Sequence, residues 1–323
     1  MGKFILKRLV GLIPLLLGIS LITFFVMHLA PGDPTTLFSD PTVKPEELLR
    51  IRANWGLDKP VIVQYGYWLK NVLHGDLGTA YIVNQPVSQM ILERLPATIL
   101  LMGTSLLLTL LIAIPLGVFS AIRKNSAADH AITLFSFLGM SIPSFWLALV
   151  LMLIFSSTLG WLPSSGMANP LLRDAGWARV ALDTAQHLVL PVTAMVILSL
   201  AGLTRYQRAS MLEVIHQDFI RTARAKGLPE RVVLFKHALK NALLPIITIL
   251  GLSLPDIIGG AFIIETIFAW PGMGRLGVTA VFSRNYPLIM GVAVFSSLLV
   301  VLGNLLADVG YALVDPRIKY QKK

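Results

Sequence analysis

Six long apolar stretches constrain this chain more than any other feature. They lie near residues 9–30, 97–120, 131–159, 187–204, 241–264 and 287–312. Each is long enough to cross a bilayer as a helix, which takes roughly 20 residues. In lipid the backbone N–H and C=O groups have to be satisfied inside the protein, so a spanning segment is a helix or a strand of a closed barrel. No regular alternation of apolar and polar side chains runs through these stretches. The expected fold is therefore an all-α membrane protein with six transmembrane helices. The chain is 14% charged with a mean hydropathy of +0.73, against about 25% charged residues in soluble domains.

Charge sets the expected orientation. The first stretch follows Lys3, Lys7 and Arg8, and its apolar run is longer than the roughly 7–15 residues of a secretory signal's core. His28-Leu29-Ala30-Pro31 is also a poor cleavage site, so an uncleaved anchor is expected. With the N-terminus inside, the inner segments hold most of the 27 Lys and Arg residues: Arg123 and Lys124, the run from Arg205 to Lys240, and Arg317 to Lys323. That is the positive-inside pattern. It predicts a multi-pass protein of the cell membrane, the plasma or inner membrane, with both termini cytoplasmic. It also accounts for the net charge of +10 without nucleic acid as a partner.

The division expected from these spans has four parts: residues 1–30, an extracytoplasmic domain at 31–96, a core of five further spans at 97–312, and a tail at 313–323. Within 31–96, turn signals at Pro31-Gly32-Asp33-Pro34, Asp40-Pro41 and Lys59-Pro60 separate two short amphipathic helices, Glu46 to Trp55 and Val61 to Leu73. Tyr65, Trp68 and Leu69 share a face of the second. Trp55, Tyr65, Tyr67, Trp68 and Tyr81 suit a small cap at the membrane interface.

Several chemistries are missing. There is no cysteine, hence no disulfide and no thiolate site. No GxxxxGK[ST] phosphate loop, HExxH or GxSxG occurs, and the six histidines are scattered. The chain is expected to bind no cofactor or metal of its own and to be no enzyme. A proton-driven carrier would need relayed carboxylates or histidines at mid-membrane, and the spans offer little beyond Asp256.

Two polar regions ask for explanation. The segment Asp218–Gly227 carries Arg221, Arg224 and Lys226, ends in a glycine and lies in the longest polar gap of the second half. A basic helix held between spans on the inner side reads as a docking surface for a cytoplasmic partner. The other region is the outer part of the pathway. Asp256 follows Pro255 within apolar sequence and precedes Gly259-Gly260, and a charge at that depth should face protein or water. Glu265 leads into a turn at Pro271-Gly272, then Gly274 and a short helix with Leu276, Ala280 and Val281 on an apolar face. Arg205 lies at the inner end of the fourth span, where snorkelling is the default. Asp256, Glu265, Pro271, Gly272, Gly274 and Arg205 are the candidate pathway or gate residues.

Motifs in order along the chain carry a resemblance. Ala30-Pro31-Gly32-Asp33-Pro34, Gly56-Leu57-Asp58-Lys59-Pro60, Gly75-Asp76-Leu77-Gly78 and Arg94-Leu95-Pro96-Ala97-Thr98 fall in the first part. Gly202-Leu203-Thr204-Arg205-Tyr206, the 218–227 segment, His237-Ala238-Leu239-Lys240-Asn241, Glu265 to Gly274 and Asp315-Pro316-Arg317 fall in the second. Over almost its whole length the chain resembles the larger-loop permease of ABC importers for peptides and nickel. The resemblance implies the type I importer permease architecture. It implies a heterodimer with a second permease, two ATPase subunits that handle ATP and Mg, an external substrate-binding protein, and membrane lipid around the assembly. It makes residues 218–235 the coupling segment, with Arg221, Thr222, Ala223, Arg224, Ala225, Lys226 and Gly227 facing the ATPase and Gly227 as its pivot. Arg221-Thr222-Ala223 stands where the general motif of such importers has EAA. A peptide of two or more residues is the expected substrate, with nickel chelates and glutathione as alternatives.

Overall fold

The structure is a computed structural model that describes residues 2–30, 32–35, 45–172, 174–247, 249–250, 253 and 261–314. Asp256 and the tail from 315 lie outside the described residues. Twelve helices are named here. They are α1 (Gly2–Leu29), α2 (Pro45–Asn54), α3 (Val61–Leu73), α4 (Val87–Ile122), α5 (Ala127–Ser141) and α6 (Ser144–Thr158), then α7 (Gly176–Ile215), α8 (Asp218–Ala225), α9 (230–242), α10 (Phe262–Ile267), α11 (Met273–Phe282) and α12 (Tyr286–Val314). Among the described residues no strand occurs beyond one isolated bridge between Thr79 and Pro86.

Four helices are long and apolar enough to span a membrane, and the pair α5–α6 makes a fifth span if counted as one. The fifth expected stretch, 241–264, includes ten residues outside the description. The third stretch is not the single helix expected over 131–159. It bends by 101° between Ser141 and Ser144. Pro143 lacks the N–H a helix needs and pushes its predecessor out of the α region, and Ile142 is extended at φ −82°, ψ 125°. Two other spans run well beyond the membrane core. α4 holds 36 residues and passes unbroken through Pro96 and Pro115, and α7 holds 40 and passes through Pro191.

α4 and α7 form the centre of the molecule. Ala97, Leu101, Val192 and Val196 are buried between them at one end with Trp270. At the other end Val118 and Ala121 of α4 join Met211 and Val214 of α7. Leu147, Ala148 and Leu151 of α6 pack on Leu190 and Ala194 of α7. α1 lies along α12, where Phe24, Met27 and Met290 form a smaller cluster. The two predicted short helices between α1 and α4 are present as α2 and α3. Tyr65 and Trp68 of α3 pack against that α1–α12 cluster, and the Tyr65 hydroxyl lies 2.9 Å from Ser20 Oγ of α1. Trp55 stacks on Tyr81 at 3.9 Å between ring centres.

α4 and α7 approach closely at Gly117. A Cβ there would lie 2.7 Å from Cβ of Gln207 and 2.8 Å from the carbonyl oxygen of Thr204. Small residues at such contacts let helix backbones approach, which is how membrane helices gain packing without a hydrophobic drive between them. Gly117→Leu is therefore expected to destabilise the protein by about 1–3 kcal/mol through overpacking. A lowered thermal unfolding midpoint in detergent checks this, and an unchanged midpoint contradicts it.

Candidate functional site

The basic segment folds as α8. Gln217 is extended at its N-cap, and Asp218 in the first turn places a negative charge where the helix dipole favours one. Eight residues are too few for an isolated helix in water. Packing supplies the rest, because Ile220 is fully buried and Ala223 nearly so, in the cluster with Val118, Ala121, Met211 and Val214. Burying one such isoleucine is worth roughly 1.5–3 kcal/mol. The remaining side chains of the expected site, Arg221, Thr222, Arg224, Ala225 and Lys226, are all exposed.

The helix stops at Gly227. Its φ of +72° is the left-handed conformation, and its N–H donates to the carbonyl of Arg224 at 2.9 Å. Glycine takes that conformation without the cost a side chain would bring. Pro229 then caps α9, which runs on to residue 242, beyond the expected limit of 235. Across this turn Arg224 makes a bidentate pair with Glu230, Nε to Oε2 at 3.1 Å and NH2 to Oε1 at 2.7 Å. The sequence reading offered Arg221, Arg224 and Lys226 alike to a partner. In the structure Arg224 is engaged within the chain, as a latch holding α8 to α9. Its hydrogen bonds hold the Glu230 carboxyl below its ordinary range, so the latch stays closed above that range and opens as pH falls through the lowered value. Both partners are largely exposed, so the latch orients more than it stabilises. Arg221 has only a 3.4 Å contact with the exposed Asp218.

At the opposite end of α4 and α7 stands Glu265. Its side chain is fully buried. Oε1 accepts from the Thr98 hydroxyl at 3.0 Å and Oε2 accepts from the Arg275 N–H at 3.0 Å, with a further backbone hydrogen bond from Gly274. The Thr98 hydroxyl in turn accepts from the N–H of Met273 at 2.7 Å. The carboxylate thus occupies the N-terminus of α11, where free N–H groups favour negative charge. Trp270 is buried and its indole N–H donates to the Ala97 carbonyl at 2.8 Å. Pro271 sits between Trp270 and Gly272 in this turn. A Cβ on Gly272 would collide with the Glu265 carboxylate, and one on Gly274 would lie 2.6 Å from Cα of Phe262. Four of the expected gate residues are therefore brought together in one knot. Of the apolar side chains of α11, Leu276 and Ala280 are buried and Val281 is 59% exposed. Val281 lines an apolar groove of about 420 Å³ between α11 and α12, with Phe262, Gly277, Val292 and Ser296.

Arg205 is at the other end of the molecule from this knot. Its guanidinium lies over the Phe137 ring of α5 at 5.2 Å. Sequence reading missed Glu230, Thr98 and the pairing of Arg208 with Asp129. Thr98 stood in the Arg94–Thr98 motif with no partner assigned, and Asp129 just ahead of the apolar stretch 131–159.

Two substitutions test the knot. Thr98→Val leaves a buried Glu265 oxygen and the Met273 N–H unpaired, at an expected cost of about 1–3 kcal/mol. Gly274→Ala is expected to cost a similar amount through the clash with Phe262. Both are read as lowered unfolding midpoints in detergent, and a midpoint equal to wild type for both contradicts the assignment.

Residues 113–320 match the family described as binding-protein-dependent transport system inner membrane component, and residues 1–102 match its N-terminal counterpart. The chain is 48% identical over 321 residues to an oligopeptide transport system permease protein of Bacillus subtilis, covering 99% of this chain and 100% of the relative. It is 42% identical over 320 residues to a putative peptide transport system permease protein of Brucella abortus, with 99% and 100% covered. It is 38% identical over 335 residues to a dipeptide transport system permease protein of Alkalihalophilus pseudofirmus, again with 99% and 100% covered. The chain belongs to the inner-membrane components of binding-protein-dependent transport systems, a family of membrane transport subunits and not of enzymes.

Proposed function

We propose that this chain is the permease subunit of an ATP-driven peptide importer and supplies half of the translocation pathway. The observation that carries the reading is α8, a short basic helix with a buried apolar base and an exposed outer face. The relatives' peptide-transport names support peptide as the substrate class over nickel chelates or glutathione. A second permease completes the pathway, and the apolar groove between α11 and α12 forms part of its wall. Two ATPase subunits carry ATP and Mg and dock on α8, with Arg221 and Lys226 as the cations they meet. A substrate-binding protein delivers peptide to the opposite face, beside the Glu265 knot and the α2–α3 cap. The charge bias supports a cytoplasmic location for α8 and both termini. ATP-driven closure of the ATPases moves α8, and the spans exchange access between the two faces.

The test is Gly227→Trp in the complete importer reconstituted in proteoliposomes. A side chain at φ +72° strains the turn and sets a bulky group on the docking face. Peptide taken up per ATP hydrolysed is expected to fall about tenfold, within the range by which coupling-network mutations act. Wild-type uptake per ATP in an assembled complex would overturn the coupling role of α8.

A further inference from the structure

Beside the seat of α8 lies an ion pair that the pathway and the docking face leave unused. Asp129, in the first turn of α5, has a side chain only 3% exposed. Arg208 of α7 grips it in bidentate fashion, Nε to Oδ1 at 2.7 Å and NH2 to Oδ2 at 2.8 Å. The Ser120 hydroxyl of α4 donates to Oδ1, and the Asn125 N–H in the α4–α5 turn donates to Oδ2 at 2.9 Å. The Asp129 N–H donates to the Ser126 hydroxyl at 3.2 Å, capping α5. One carboxylate thus binds the last turn of α4, the turn that follows and the inner part of α7.

The location matters as much as the bonds. Ser120 lies between Val118 and Ala121, and Arg208 lies one turn before Met211. All three of those apolar residues belong to the cluster that seats Ile220 and Ala223. Two residues beyond Arg208, Ser210 Oγ donates to the Ala242 carbonyl of α9 at 2.9 Å. Residues two apart on a helix point in directions about 200° apart. α7 is therefore tied to α5 on one side and to α9 on the other, at the level where α8 rests. A buried ion pair is a poor choice for stability alone, because apolar replacements of similar volume often do as well. A two-point fork does fix the angle and spacing of the elements it joins.

We infer that Arg208 and Asp129 are positioning residues for energy coupling: their fork joins α5 to α7, and the Ser120 hydroxyl adds α4 to the same body. A displacement of α8 then reaches the spans instead of being absorbed in the α4–α5 turn. The inference rests on the coupling role of α8, and the two are separable by experiment.

The experiment uses the complete importer in proteoliposomes with peptide-loaded binding protein. Asp129→Asn, Arg208→Lys and Ser120→Ala are compared for peptide taken up per ATP hydrolysed, counted on complexes that hold their ATPase subunits. The ratio is expected to fall about tenfold for Asp129→Asn and about threefold for Arg208→Lys, which keeps the charge and loses the fork. Ser120→Ala, which spares the fork, is expected to fall least. A simple brace would lower the yield and the unfolding midpoint yet leave the ratio at the wild-type value, and that result overturns the proposal. So does failure of both pair variants to assemble while Ser120→Ala keeps a normal ratio. If Gly227→Trp uncouples and Asp129→Asn does not, the fork fails alone. If Asp129→Asn uncouples and Gly227→Trp does not, the coupling role of α8 fails, and the fork's part in passing on a displacement of α8 fails with it.

Discussion

The contact between α4 and α7 at Gly117 governs the arrangement of the rest. It brings two helices of 36 and 40 residues close enough that only hydrogen fits where a side chain would meet Gln207 and the Thr204 carbonyl. Everything of functional interest among the described residues hangs from this pair. At one end Ala97 and Thr98 of α4 hold the indole of Trp270 and the carboxylate of Glu265. At the other, Val118 and Ala121 of α4 with Met211 and Val214 of α7 seat α8. Thr98 and Val118 are twenty residues apart on one continuous helix, about 30 Å along its axis, which is the thickness of a bilayer core.

Both candidate regions use short helices that could not persist alone. α8 and α11 have eight and ten residues, below the length at which an isolated helix is stable in water. Each is rescued in a different way. α8 buries an apolar base and leaves its charges outside, so its outer face is free for contact while its orientation is set from beneath and by the Arg224–Glu230 latch. α11 has its N-terminus filled by Glu265 from α10 and bridged to α4 through Thr98, so its position is set by polar bonds within a buried site. A buried carboxylate is costly unless its oxygens are satisfied; here Thr98, Gly274 and Arg275 supply donors.

How legible this was in the sequence follows from the range of each interaction. α2, α3, α8 and α11 were readable because apolar spacing, turn residues and the terminal Gly227 are local signals. The membrane class followed from composition and run length. The bend at Pro143 was signalled only by a proline of a kind that α4 and α7 tolerate without breaking, so the residue type alone did not decide it. Thr98 and Glu265 are 167 positions apart, and Asp129 and Arg208 are 79 apart. No periodicity or motif joins such pairs, since each depends on how the helices pack. Glu230 was closer, six residues from Arg224, but the pair forms only because Gly227 and Pro229 fold the chain back between them.

The same geometry explains why the ends of the molecule are not independent. A helix resists shortening along its axis, because each turn is held by its own backbone hydrogen bonds. Pro115 between Thr98 and Val118 lacks the N–H for one of those bonds, yet the helix runs unbroken past it from Thr98 to Val118 and Ala121. Thr98 sits between a Glu265 oxygen and the Met273 N–H, 3.0 and 2.7 Å away, so even a small shift strains both bonds at once. α7 follows the same course, since Arg208 ties its C-terminal part to α5 while Leu190 and Ala194 pack on α6 and on Ile264 and Phe268, which flank Glu265. Two parallel routes thus join the seat of α8 to the Glu265 knot, and both run through close-packed helix contacts without crossing a flexible loop.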